Sequence, residues 1–351
     1  MPVLEDEVTL KGLLTLLTQR PEFRRLIQRL RDAEGIPALT AITESARPYV
    51  LAALSSTLKQ PLLVVVTNEE QANETADTLK VLVENPRDVL FLPDRDALPY
   101  ERLIIDAETT QQRLNALICL AERERNAIIV CSARAITQLV IPPQELLASL
   151  YDLKPGQEVD LTVMLEHLYN LGYEPVTEVE EPGQFSHRGG IVDLFPPTLP
   201  RPVRIEFFGD EIESLRTFDP ETQRSLNPID FCVVSPAREA LPIRGPEAAK
   251  ELAQLNSSML HHDAEERWNR DLEALRDRHS FDDITFYLPY LHAQGSVLDY
   301  LRAKGLVILD NPEGIQNRIL EMDAQAQEMK ERFERDRENP TQLRTAHIPW
   351  D

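Results

Sequence analysis

Residues 62–68 read Leu-Leu-Val-Val-Val-Thr-Asn, and residues 127–133 read Ala-Ile-Ile-Val-Cys-Ser-Ala. Both are short, unbroken apolar runs rich in β-branched side chains. A strand with one wet face alternates polar and apolar residues. A run without alternation is buried on both faces, as in a parallel sheet covered by helices. A residue suited to cap a helix follows each run: Asn68 and Ser132 can accept from the unpaired N–H groups of a first turn. Further apolar runs lie at 37–42 and 89–92, and helical stretches at 47–58, 69–83 and 109–125. Such alternation predicts an α/β domain with a parallel sheet.

Beyond Ile141-Pro142-Pro143 the pattern changes. A helix over 161–171 and a turn at Asn170-Leu171-Gly172-Tyr173 precede extended segments at 174–180, 190–195, 203–208 and 211–218. Gly209-Asp210 separates the last two as a hairpin connection, in the reverse of the order usual for a type I′ turn. Later, Val307-Ile308-Leu309-Asp310 reads as one more buried strand ending in an acid, and it most simply joins the first sheet. Residues 313–339 form a charged amphipathic helix with apolar positions at Ile315, Ile319, Leu320, Met322 and Met329. The expected fold is thus a discontinuous α/β parallel-sheet domain with a small α+β domain inserted. Its parts are 1–144, 145–235 and 236–351, the last completing the first domain and adding the C-terminal helix.

The chain has 351 residues, 42% hydrophobic and 27% charged, which suits a protein with a real core. Its 59 acidic and 37 basic residues leave a formal charge of −22. Nucleic-acid affinity comes largely from Lys and Arg on phosphate, so this balance argues against a large DNA footprint. Cys119, Cys131 and Cys232 are widely separated in apolar surroundings, as small buried hydrophobes in a reducing compartment are. No CxxC pair and no HExxH spacing occurs, so no metal or other cofactor is expected. No apolar run is long enough to span a membrane, and a cytoplasmic location is expected.

In a nucleotide-binding α/β domain the loop after the first strand cradles phosphate. It needs glycines for close backbone approach, a Lys for the β and γ phosphates, and a Ser or Thr for Mg²⁺. Here the run ending at Ala41-Ile42 leads into Thr43-Glu44-Ser45-Ala46-Arg47-Pro48. No glycine is present, Glu44 adds negative charge where phosphate would lie, and Pro48 replaces the hydroxyl. At the late strand, Asn311 follows Asp310 where a catalytic Glu would be expected. Either the segment is unrelated to a nucleotide site, or the domain keeps that architecture without its activity. Neither reading predicts ATP hydrolysis.

Within 203–208 alternate residues share a face. Val203, Ile205 and Phe207 face a core, whereas Arg204, Glu206 and Phe208 face away from it. A large aromatic beside an Arg on a polar face is unexpected if that face meets only water, and such pairs are enriched in interface hot spots. The plainer alternative is that a loop of the same domain covers Phe208 while Arg204 pairs with Glu206 or Glu211.

The segment Arg188-Gly189-Gly190-Ile191-Val192-Asp193-Leu194-Phe195-Pro196-Pro197 resembles a signature in the N-terminal part of the bacterial transcription-repair coupling factor family (Mfd). So does Val203-Arg204-Ile205-Glu206-Phe207-Phe208-Gly209-Asp210, running on to Ser225. Leu92-Pro93-Asp94-Arg95-Asp96-Ala97-Leu98-Pro99-Tyr100-Glu101, Tyr287-Leu288-Pro289-Tyr290 and Leu298-Asp299-Tyr300-Leu301 fit the same family. The matches extend from about residue 37 to 312. That part of the family is similar in turn to UvrB, the damage-verification subunit of nucleotide excision repair. The resemblance implies a degenerate helicase-like, UvrB-like domain with an inserted UvrA-binding domain. It carries the UvrA-contacting positions onto Arg188, Arg204 and Phe208, with His187, Arg201 and Glu206 as neighbours. The family's phosphate loop is itself degenerate. This chain keeps Ser45-Ala46-Arg47 but places Ala41 and Glu44 at the family's glycine positions, a further departure.

The expected function is a non-catalytic module that recruits UvrA, with no membrane partner. RNA polymerase and DNA would be engaged only through parts absent from this chain, which lacks a second βα half with a helicase motor. It is expected to be either an isolated fragment or a free-standing relative. Two alternatives stand beside this. One is an active UvrB-like nucleotide and DNA enzyme; the other is a module that masks its own docking face inside a larger protein.

Overall fold

The computed structural model describes residues 11–32, 41–121, 126–301 and 305–349. The chain opens with α1 (Lys11–Gln19), α2 (Pro21–Asp32) and α3 (Arg47–Leu58). Three βα steps follow, the last with a second short helix: β1 (Leu62–Val66), α4 (Glu69–Leu82), β2 (Val89–Leu92), α5 (Ala107–Ala121), β3 (Ile128–Ser132), α6 (Ala133–Thr137) and α7 (Pro143–Ala148). The predicted caps are in place. Asn68 Oδ1 accepts from Gln71 N at 2.9 Å, and Ser132 Oγ accepts from the amides of Arg134 and Ala135.

The inserted part holds β4 (Tyr151–Leu153), α8 (Leu161–Asn170), β5 (Glu174–Pro175), β6 (Gln184–Arg188), β7 (Ile191–Leu194), β8 (Val203–Phe208), β9 (Glu211–Phe218), β10 (Ser225–Pro228) and β11 (Cys232–Val234). The chain then runs through α9 (Gly245–Leu252), α10 (His262–Arg276), α11 (Leu288–Leu291), β12 (Leu306–Leu309) and α12 (Pro312–Arg335). No helix among the described residues is long and apolar enough to cross a membrane.

Among the described residues the parallel sheet has the order β12-β1-β3-β2. The late strand joins it as expected, with Leu62 in register with both Leu306 and Ile128, but as an edge strand whose Val307 and Leu309 stay exposed rather than buried. β1 and β3 are buried along their whole length, because the sheet is covered twice. Leu62, Val64, Val66, Ile128 and Val130 pack on α3 and α4, while Leu63, Val65, Ile129 and Cys131 pack on α5 and α12. Each such side chain contributes about 1.5–3 kcal/mol relative to exposure.

The inserted part is a mostly antiparallel sheet in the order β10-β9-β8-β7-β6-β5, with β11 and β4 paired beside it. Val192, Leu194, Val203, Ile205 and Leu215 form its inner face and bury Met164 and Leu168 of α8. Two buried polar contacts hold the chain where it passes between the parts. In the return passage, Glu239 accepts from Arg113 of α5, which is fully buried, with Arg95 at 3.7 Å. In the outgoing passage, Glu145 meets His292 Nδ1 at 2.6 Å, and His292 Nε2 accepts from Leu241 N. The inserted sheet is therefore tethered at both of its connections.

Several expectations need correction. Of the predicted strand at 37–42, residues 37–40 lie outside the described residues, and Ala41 and Ile42 are in irregular chain. Only Glu174–Pro175 of the extended segment 174–180 is a strand, because the chain then turns to pack Val176 and Val179 on the sheet's outer face. β6 and β10 escaped detection; β10 is exposed at every residue and so has no core-facing pattern. On α12, Leu320 points to solvent and Met329 is half-buried, while Ala326 is buried in the stripe.

The outer face of the inserted sheet and its relatives

β8 keeps strict alternation: Val203 and Ile205 are buried inward, while Arg204, Glu206 and Phe208 lie outward. Register builds rows across the outer face. One row runs Arg188–Ile191–Glu206–Ser214 and the next Ser186–Asp193–Arg204–Arg216. A bulge where β9 supplies an extra residue opposite Glu206–Phe207 leaves the alternation of β8 intact. Gly209 takes φ +63° at the first central position of the β8–β9 turn, and Asp210 does not, which is the type II′ requirement.

The chain covers half of this face itself. The strap 176–183 lays Val179 and Val176 on Phe195 and Phe218, a small second core. Arg204 braces it indirectly. Its guanidinium lies 4.9 Å from the centre of the Phe218 ring, donates to both oxygens of Asp193 at 2.7 and 2.8 Å, and donates to Gln223 O. Gln223 in turn donates to Val179 O at 3.0 Å. Asp193 holds the Arg204 guanidinium protonated more firmly than usual. Arg188 donates to Thr177 O on the same strap, with Glu178 at 3.8 Å, yet its side chain stays 60% exposed.

The other half, toward the hairpin turns, is bare. Phe208 is 78% exposed, so no loop of its own domain covers it. Arg204 pairs with Asp193 rather than with Glu206 or Glu211. Glu206 accepts from Ser214 Oγ at 2.6 Å, with Arg216 at 4.0 Å. His187 turns back onto Gly189 O at 2.7 Å. Arg201 precedes β8, at the opposite end of that strand from Phe208, so the fold does not bring those two together. Sequence reading assigned no role to Ile191, or to Asp193 as the partner of Arg204, both on the outer face. The alternation of Ile191-Val192-Asp193-Leu194 carries the signal, since Val192 and Leu194 face inward.

The degenerate loop lies at the C-terminal edge of the parallel sheet, where open α/β sheets bind ligands. Glu44–Ala46 is a single 3₁₀ turn running straight into α3. Arg47 reaches across to Asp310 at the end of β12 with an Nη1–Oδ1 distance of 2.7 Å. Its positive charge is spent within the fold. Glu44, Thr67, Asn68, Glu70 and Asn311 line an open polar cleft around it, and Pro48 supplies no hydroxyl.

A doubly covered parallel sheet completed from late in the chain, interrupted by an antiparallel domain with an open face, defines the class: a UvrB-like α/β module with an inserted interaction domain. Residues 151–239 match the UvrB interaction domain family. The chain is 29% identical over 331 residues to the transcription-repair-coupling factor of Bacillus subtilis (strain 168), covering 91% of this chain and 28% of that protein. It is 32% identical over 310 residues to the transcription-repair-coupling factor of Myxococcus xanthus, covering 83% and 25%. UvrABC system protein B of Chlorobium limicola is 28% identical over 323 residues, covering 83% of this chain and 47% of that protein. The chain thus carries a UvrB interaction domain within a UvrB-homology module similar to that of the transcription-repair coupling factors, and it spans about a quarter of their length.

Proposed function

We propose that this chain is a non-catalytic docking module that recruits UvrA to start transcription-coupled nucleotide excision repair. Arg188, Arg204 and Phe208 carry the docking face. The observation behind this reading is Phe208, a large aromatic held bare on the polar side of β8. Aromatic and Arg side chains in such settings dominate interface energetics, and truncating one costs about 2 kcal/mol or more. The family match over 151–239 supports a protein partner for the same sheet. Contacts with RNA polymerase and DNA are assigned to other parts of a longer protein.

The state of the phosphate-loop position supports the non-catalytic half of the reading, because Arg47 is already neutralised by Asp310 and no glycine lies in 41–48. Binding of purified UvrA by the wild-type chain and by Arg188→Ala, Arg204→Ala and Phe208→Ala variants tests the docking face. Each variant is expected to bind more weakly; unchanged binding in all three removes the site assignment, and no binding by the wild type removes the function. A rise in the unfolding midpoint with Mg-ATP overturns the non-catalytic reading in favour of a UvrB-like enzyme.

A further inference from the structure

A single exposed Ile is ordinary on a protein surface. Ile191 is not isolated. It sits in β7 on the outer face, in register with Arg188 on one side and with Glu206 on the other. Phe208 is two residues beyond Glu206 on the same face of β8, and hence a diagonal neighbour of Ile191, within reach of an aromatic side chain. The turn geometry keeps the two close. Phe207 N donates to Gly190 O at 2.7 Å, and a Cβ on Gly190 would stand 2.9 Å from Phe207 O. The Gly190 position therefore lets the β6–β7 hairpin close directly against the end of β8. Where the same face carries other apolar side chains, Phe195 and Phe218, the chain's own strap covers them. Ile191, 39% exposed, and Phe208 are left outside that strap.

Resting on the docking reading above, we infer that Ile191 is a contact residue of the UvrA-docking face, forming with Phe208 a diagonal apolar strip flanked by Arg188 and Glu206. The surface fits a partner with an apolar socket for the Ile191–Phe208 strip, a carboxylate facing Arg188 and a cation facing Glu206. Burial of this strip at the centre, with charges at its sides, is the arrangement in which an apolar contact is fully desolvated and an ion pair orients the approach. Ile191 is in register with Arg188 and Glu206, so the strip is continuous with the docking face rather than separate from it.

The test is a calorimetric titration of purified UvrA into the full chain and its Ile191→Ala and Ile191→Thr variants. Phe208→Ala serves as the reference, and Val163→Ala on α8 as an exposed apolar control away from the face. Ile191→Ala and Ile191→Thr are expected to weaken binding at least about tenfold, as a truncated interface anchor does. Their unfolding midpoints should match the wild type, and Val163→Ala should bind normally. Because Thr keeps the β-branched shape the strand favours, it decides the matter if the Ala variant unfolds early. Wild-type binding by both Ile191 variants alongside a weakened Phe208→Ala variant overturns the inference and leaves the docking reading standing. Wild-type binding by Phe208→Ala as well overturns the inference and removes Phe208 from the face, while no binding by the wild-type chain overturns both readings.

Discussion

Asp193 on β7 grips Arg204 on β8 through two hydrogen bonds, Oδ1 to Nε at 2.7 Å and Oδ2 to Nη2 at 2.8 Å. This cross-strand pair holds the guanidinium against Phe218 at the border between the covered and the bare half of the sheet's outer face. Arg204 is therefore pre-organised, with only 19% of its side chain exposed. Asp193→Ala is expected to cost about 1–3 kcal/mol in urea unfolding, the usual range for a charged hydrogen bond removed from a part-buried site. Faster amide exchange in the strap 176–183 should accompany it, because Arg204 supports Gln223 and Gln223 supports Val179. Arg204→Lys should not restore the strap, since an ammonium cannot make the two-pronged contact.

Arg188 keeps most of its side chain in water, so its contribution to docking should be long-range and screened by salt. UvrA association measured by stopped flow is expected to slow as ionic strength rises, and Arg188→Ala should flatten that dependence. Phe208→Ala should instead speed dissociation and leave the salt dependence unchanged.

Glu239 carries the return passage of the chain and is buried beside Arg113 and Arg95. Burial pushes its carboxyl up, but the two guanidinium groups outweigh that and hold it below the usual carboxylate range. A depressed folded-state value means a stabilising contribution that is present above the ordinary carboxylate pKa and lost as pH falls through the folded one. Glu239→Gln leaves Arg113 buried without its counter-charge, at a cost of about 3–5 kcal/mol. Unfolding followed across acid pH should show a shallower slope in the variant than in the wild type.

Burial pushes the thiols of Cys131 and Cys232 up, the latter to about 12. Neither carries reactive thiolate near neutral pH. The folded chain is expected to resist a thiol-directed reagent at these two positions, with mass spectrometry showing modification only in denaturant. Labelling of either in the folded state overturns their burial.

The parallel sheet was legible because its central strands β1 and β3 are buried on both faces: nothing but apolar side chains fits between two helical layers, and Asn68 and Ser132 follow where the helices must begin. The outward placement of Arg204, Glu206 and Phe208 was legible for a related reason, since a period of two assigns faces without reference to any other element. The absent glycines of 41–48 could be read letter by letter. β10 could not be found, because an exposed edge strand has no inner face to leave a pattern.

What the sequence by itself determined is therefore the doubly buried character of β1 and β3, the face on which each residue of β8 lies, and the missing chemistry of the phosphate loop. Tertiary structure alone decided the partners: that Arg47 is taken up by Asp310, Arg204 by Asp193, and Glu239 by Arg113. It also decided that the strap 176–183 stops short of Ile191 and Phe208, leaving them open. The reason is physical. Periodicity is a local property of the backbone, whereas an ion pair or a covered patch depends on which distant segments the packed core brings together, and no local rule carries that.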